Sequence, residues 1–116
     1  LPDIASPFDL YDMAQRAWSM VRESLQALTE MSVESARNVC ESDREVDAMN
    51  RENREIIESA VWGNAKQFRS YDAYLTVSRS LERIADHATN IAEDVIYMLK
   101  GDIVRHEDEL RHREAE

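Results

Sequence analysis

The sequence predicts an all-α fold, an antiparallel three-helix bundle. Three observations carry that expectation. Only two glycines and two prolines interrupt 116 residues, apolar residues recur at steps of three and four over three long stretches, and only a few residues separate one stretch from the next. With 43% hydrophobic residues but only 7% aromatic, and with turn formers so scarce, strands joined by tight turns are not expected.

The first helix is expected over roughly residues 8 to 30. Tyr11, Ala14, Trp18, Val21, Leu25 and Leu28 alternate steps of three and four, a coiled-coil-like seam read as core-facing, with Pro7 just upstream. The second helix is expected over about 32 to 62. Ser32 can cap it, Val33, Ala36, Val39, Cys40, Val46, Met49, Ile56, Ile57, Ala60 and Val61 supply its apolar face, and Gly63 offers a stop. The third is expected over about 65 to 100, with Asn64 as cap, Gln67 where a capping box places it, and a core face of Leu81, Ala85, Ala88, Ala92, Val95 and Leu99 ending at Gly101. Ile84 and Ile91 are assigned to the same buried surface.

Three long helices with short connections run up, down and up, so that their seams meet in one core. Met13, Met20, Met49 and Met98 read as gap-fillers in or near it, and Trp18 and Trp62 as packing anchors. Residues 1–7, LPDIASP, read as a linker because both prolines fall there. Residues 8–101 form the bundle, and 102–116 a charged tail that lacks an apolar face of any width and is expected to fray or stay disordered.

The formal charge is −10 and the isoelectric point near 4.7. An acidic surface repels nucleic acid and anionic membranes and attracts cations or basic protein patches. The single cysteine, Cys40, excludes an intrachain disulfide and a thiolate zinc pair, which fits a reducing, cytoplasmic setting. No apolar run is long enough to cross a membrane, and no stretch reads as a signal peptide.

The acids are not scattered at random. Glu82, Asp86, Asn90 and Glu93 stand four, four and three residues apart, within about a quarter of a helix circumference. Asp43 and Asp47 repeat the i, i+4 carboxylate spacing on the second helix. Stacked carboxylates repel one another by a few tenths of a kcal/mol per pair unless a cation relieves them. Oxygen-rich donors on facing helices suit hard ions such as Mg²⁺, Mn²⁺ or Fe³⁺. The competing reading is a solvated stripe balanced by Arg44, Arg79 and Arg83. His87 points about 100° away from Asp86 and reads as a helix-surface residue. Neither a glycine-rich phosphate loop, nor a nucleophile beside a base, nor a cationic phosphate pocket is visible.

Residues 80 to 101, SLERIADHATNIAEDVIYMLKG, resemble the signature of the PhoU family, an ERIGDHATNIAE run followed by a short apolar segment and Gly. LPDIASP, AWSMVRESLQAL and ESARNVCESDREVD resemble the linker, first helix and start of the second helix of the C-terminal PhoU repeat, so the resemblance spans nearly the whole chain. It implies one three-helix repeat, usually one of two, and a carboxylate-x-x-x-Asp motif that binds iron or zinc, with manganese or magnesium as further candidates. That motif falls on Asp43 with Asp47 and on Glu82 with Asp86, continued by Asn90 and by Glu93 as a supporting group. Two positions depart from the family pattern: Ala85 replaces the signature glycine, and Ser32 stands where the family often has Asp.

The resemblance implies a regulator and not an enzyme. Its members act as negative regulators of phosphate uptake and phosphate homeostasis, between a phosphate ABC transporter and a sensor histidine kinase. They lie peripheral to the membrane through those partners, as homo-oligomers or paired repeats. Two further readings stand beside it. A carboxylate-bridged metal bundle with an enzymatic role draws Glu-x-x-His motifs from facing helices, and only Glu109 with His112 has that spacing. A plain scaffolding bundle would use its acids for solubility alone.

Overall fold

A computed structural model describes the backbone of residues 6–60 and 65–115, and the side chains of 6–59 and 69–101. The described residues form three α-helices: α1 (Leu10–Glu30), α2 (Val33–Ala60) and α3 (Ala65–Ala115). Each packs against both others.

Each start has a physical cause. The Asp9 side chain accepts from the Asp12 backbone N–H at 2.9 Å and caps α1. Ser32 caps α2 as its sequence position suggests, its hydroxyl accepting from the Ser35 N–H at 3.1 Å. Between them Met31 adopts a left-handed conformation, φ 55° and ψ 46°, and the Ser32 N–H returns to the Ala27 carbonyl at 3.0 Å. This is the helix-ending motif that glycine usually supplies; here the two-residue connection imposes it on methionine. Gly63, Asn64, Trp62 and the linker residues 1–5, all named by the sequence reading, lie outside the described residues.

The core differs from the expected one on α1. Met13, Ala17, Met20, Ser24 and Ala27 are its buried residues, whereas Tyr11 and Trp18 are 75% and 59% exposed. Leu25 and Leu28 are exposed too, and Ala14 and Val21 only half-buried. The helix is therefore rotated from the predicted seam. Size explains it: the facing core positions are Ala36 and Val39 on α2 and Ala85, Ala88 and Ala92 on α3, and a core lined by such small residues takes small or flexible side chains, not indole. On α3, Ala85, Ala88, Ala92 and Val95 are buried as expected, and Leu81 and Leu99 pack against them. Ile84 is exposed and Ile91 only half-buried. Of the four methionine gap-fillers, Met13 and Met20 are core, Met49 packs at its edge, and Met98 is exposed.

Ala88, 1% exposed at the centre of this small-residue interface, allows a direct check. Ala88→Leu should destabilise the fold by about 1–3 kcal/mol through overpacking. An unchanged thermal midpoint would show that this face of α3 is not buried.

Gly101 does not end α3. The helix runs through it to Ala115, and a Cβ placed on Gly101 would meet nothing within 4 Å. A mid-helix glycine costs only about 1 kcal/mol relative to alanine. The following residues are rich in helix formers, with Glu107 and Arg111, and Glu109 and Arg113, at the favourable i, i+4 spacing. The tail expected to fray therefore has a helical backbone. It extends α3 past the ends of α1 and α2, giving a molecule 77 Å long.

Candidate metal centre

The antiparallel crossing of α2 and α3 decides which acids meet. Asn53 faces Ser78, Asn50 faces Glu82, and Asp43 and Asp47 face Asp86; each step up one helix is a step down the other. Oxygen atoms of Asp43, Asp47 and Asp86 lie within 4.8 Å of one another. One Asp43 carboxylate oxygen, Oδ1, is buried and has no hydrogen-bond partner.

The remaining predicted residues are placed differently. The Glu82 carboxylate accepts a hydrogen bond from the Asn50 amide, and lines a cleft with Asp47, Asn50, Arg51, Arg54 and Asp86. Asn90 and Glu93 are exposed, and the Glu93 carboxylate is outside the three-carboxylate group. His87 is exposed as expected. The arginines assigned to balance the stripe do not do so among the described residues: Arg79 turns to Asp72 at 3.8 Å, and neither Arg44 nor Arg83 makes an ion pair. Arg51 is the cation that acts on Asp47.

Crowding shows in the protonation of the group. Burial, then repulsion by Asp47 and Asp86, pushes Asp43 from its ordinary 3.8 up to about 6, against an opposing pull from Thr89. Burial and Asp86 likewise raise Asp47, partly offset by Arg51. Burial raises the Cys40 thiol, and the neighbouring Glu93 and Asp43 charges add to it. The folded protein thus holds the Asp43 proton more tightly than the unfolded chain does. That contribution to stability is complete below about pH 4 and is lost as pH rises through about 6. In metal-free protein, Asp43→Asn should therefore gain in thermal midpoint over wild type as pH rises across this window. A difference that stays constant with pH would contradict the raised value.

Beneath the acids runs a polar relay that the sequence reading did not find. The Ser78 hydroxyl donates to Asn50 Oδ1 at 2.8 Å, and Asn53 Nδ2 donates to Ser78 Oγ at 3.0 Å. Asn53 Nδ2 and Ser78 Oγ both lie 3.6 Å from Met13 Sδ. Asn50, Asn53 and Ser78 are buried. A signal was present: Val46, Asn50, Asn53 and Ile57 continue the 4, 3, 4 spacing of the α2 core, so both asparagines occupy apolar positions. Buried amides demand partners; here Asn50 meets Ser78 and Glu82, and Asn53 meets Ser78. The relay fixes the register of α2 against α3 and so brings the three aspartates together.

The donor set fits a hard cation. All three groups are carboxylates, they converge from two helices, and one buried oxygen lacks a partner; a di- or trivalent ion would satisfy that oxygen and turn repulsion into attraction.

A PhoU domain matches residues 10–95. The chain belongs to the PhoU family. It is 39% identical over 90 residues to a protein of Pseudomonas aeruginosa named phosphate-specific transport system accessory protein PhoU homolog, covering 75% of this chain and 36% of the relative. Proteins with the same name from Pseudomonas putida and Clostridium acetobutylicum are 38% identical over 91 residues and 28% over 93, covering 76% and 80% of this chain and 34% and 42% of the relatives. The chain therefore spans well under half the length of these curated relatives. No solved structure matches it significantly. The two carboxylate pairs singled out in the sequence, Asp43 with Asp47 and Glu82 with Asp86, fall inside the matched region, and three of those four residues form the converging group.

Proposed function

We propose that this PhoU domain is a regulatory accessory of phosphate uptake and phosphate-starvation signalling and not an enzyme. It acts in the cytoplasm, through protein contacts with a phosphate ABC transporter and a sensor histidine kinase, and represses uptake when phosphate is plentiful. The family match over residues 10–95 carries this reading, together with relatives whose names describe accessory proteins of phosphate-specific transport. Membrane association would come through those partners, since no described helix is long and apolar enough to cross a membrane.

Within that role Asp43, Asp47 and Asp86 hold a metal ion, iron or zinc by family resemblance, and manganese or magnesium by the all-oxygen donor set. Glu82 bounds the same cleft while fixed by Asn50. The ion would add positive charge to a strongly acidic face and so change which protein surfaces can dock there.

Expression from its own reading frame, in a bacterium deleted for its PhoU protein, tests the role. Phosphate-dependent repression of a starvation reporter should return, and Asp43→Asn with Asp86→Asn should weaken it while leaving protein abundance unchanged. A reporter that stays constitutive with folded protein present would refute the regulatory reading.

A further inference from the structure

Two arginines share the acidic cleft with the metal group and take no part in it. Asp47, Asn50, Arg51 and Arg54 line the cleft from α2, and Glu82 and Asp86 from α3, around a volume of about 280 Å³. Arg51 stands about one turn and Arg54 about two turns along α2 from Asp47, and both are exposed. The ion pairs of the described residues join Arg16 to Asp12 and Glu45, and Arg79 to Asp72. Arg51 therefore acts on Asp47 only at longer range, and neither guanidinium fork is closed by a carboxylate.

Charge explains why the sequence shows no cationic phosphate pocket here. Asp43, Asp47, Glu82 and Asp86 outnumber the two arginines, so the metal-free cleft repels an anion. A divalent ion among the aspartates cancels that excess and a trivalent ion reverses it. Three carboxylates also fall short of the six or more oxygens that a hard ion takes, while a guanidinium fork matches two oxygens of a tetrahedral oxyanion. Asn50 is committed to Glu82 and Ser78, which leaves the two arginines as the donors.

We infer that the metal-loaded cleft binds inorganic phosphate between the ion and the guanidiniums of Arg51 and Arg54. The inference rests on the metal reading of Asp43, Asp47 and Asp86 given above. The volume lies just below the roughly 300–1,000 Å³ of sites for larger organic ligands and suits a small free anion. Binding is ordered, metal before phosphate, and by linkage phosphate tightens the metal by the factor that the metal tightens phosphate. Phosphate thus becomes a ligand of the domain only when metal is present.

Equilibrium dialysis with Mn²⁺ or Zn²⁺ and micromolar radiolabelled phosphate, counting metal and phosphate separately, tests this. The wild-type chain should retain one phosphate per metal-loaded site, and none with chelator. Arg51→Gln with Arg54→Gln should hold metal at least as well, since Arg51 no longer competes for Asp47, yet bind phosphate at least about tenfold more weakly. Arg51→Lys with Arg54→Lys, which keeps the charge but not the fork, should fall between. Far-UV circular dichroism checks that the variants fold. Metal retained without phosphate would overturn this inference and leave the metal reading standing, whereas a chain that retains no metal would overturn both. Undiminished phosphate binding by the double glutamine variant would also overturn it. So would acetate or phenyl phosphate displacing the label as well as phosphate does, which would assign the cleft to a carboxylate or a phosphorylated group of a partner.

Discussion

Met13→Ala should remove about 2–5 kcal/mol of stability, the range for truncating a buried large side chain in a core that cannot collapse onto the gap. Met13 is fully buried in the core cluster shared by all three helices, and its sulfur lies 3.6 Å from both Asn53 Nδ2 and Ser78 Oγ. Truncation would open a cavity against the polar relay as well as against apolar neighbours. Met13→Leu, which preserves volume, should cost less than about 1.5 kcal/mol. Urea unfolding of the three proteins separates these outcomes. A Met13→Ala loss no larger than that of Met13→Leu would place the core elsewhere.

Saturating metal should raise the thermal midpoint by mass action, by about 2.7 kcal/mol at a free concentration 100 times the dissociation constant, on the order of 10 °C for a domain of this size. The ligands must be ionised to bind, and Asp43 is held up at about 6, so the gain should be present at neutral pH and vanish as pH falls through about 6. This is a higher window than free carboxylates near 4 would give. Asp43→Asn with Asp86→Asn should abolish the response and stabilise the metal-free protein by relieving repulsion. Glu82→Gln should keep the response, since that carboxylate is engaged by Asn50 and stands outside the converging three. Thermal scans with Fe³⁺, Mn²⁺ and Zn²⁺ provide the measurement. No shift with any of them, or an undiminished shift in the double aspartate variant, would return these acids to the role of a solvated surface.

Much of the fold was legible before any coordinates. The Ser32 cap, the three helices and the Ala85, Ala88, Ala92 and Val95 face of α3 all follow from local chemistry: a side-chain oxygen where a helix must start, and apolar residues at helical spacing. The acids were legible as two spaced pairs, Asp43 with Asp47 and Glu82 with Asp86. Which of them converge was not, because that depends on the register of two antiparallel helices, and the buried Asn50, Ser78 and Asn53 relay sets it.

By itself the sequence determined how many helices form, where α2 begins, and that carboxylates would line facing helices, since periodicity and capping act within a few residues along the chain. Tertiary structure alone decided which arc of α1 is core. Hydrophobicity ranks Trp18 above Ala17, yet Ala17 is buried and Trp18 exposed, because the contact with the alanine- and valine-rich faces of α2 and α3 leaves little room for an indole. The space left at that contact belongs to three helices at once and is written on none of them singly.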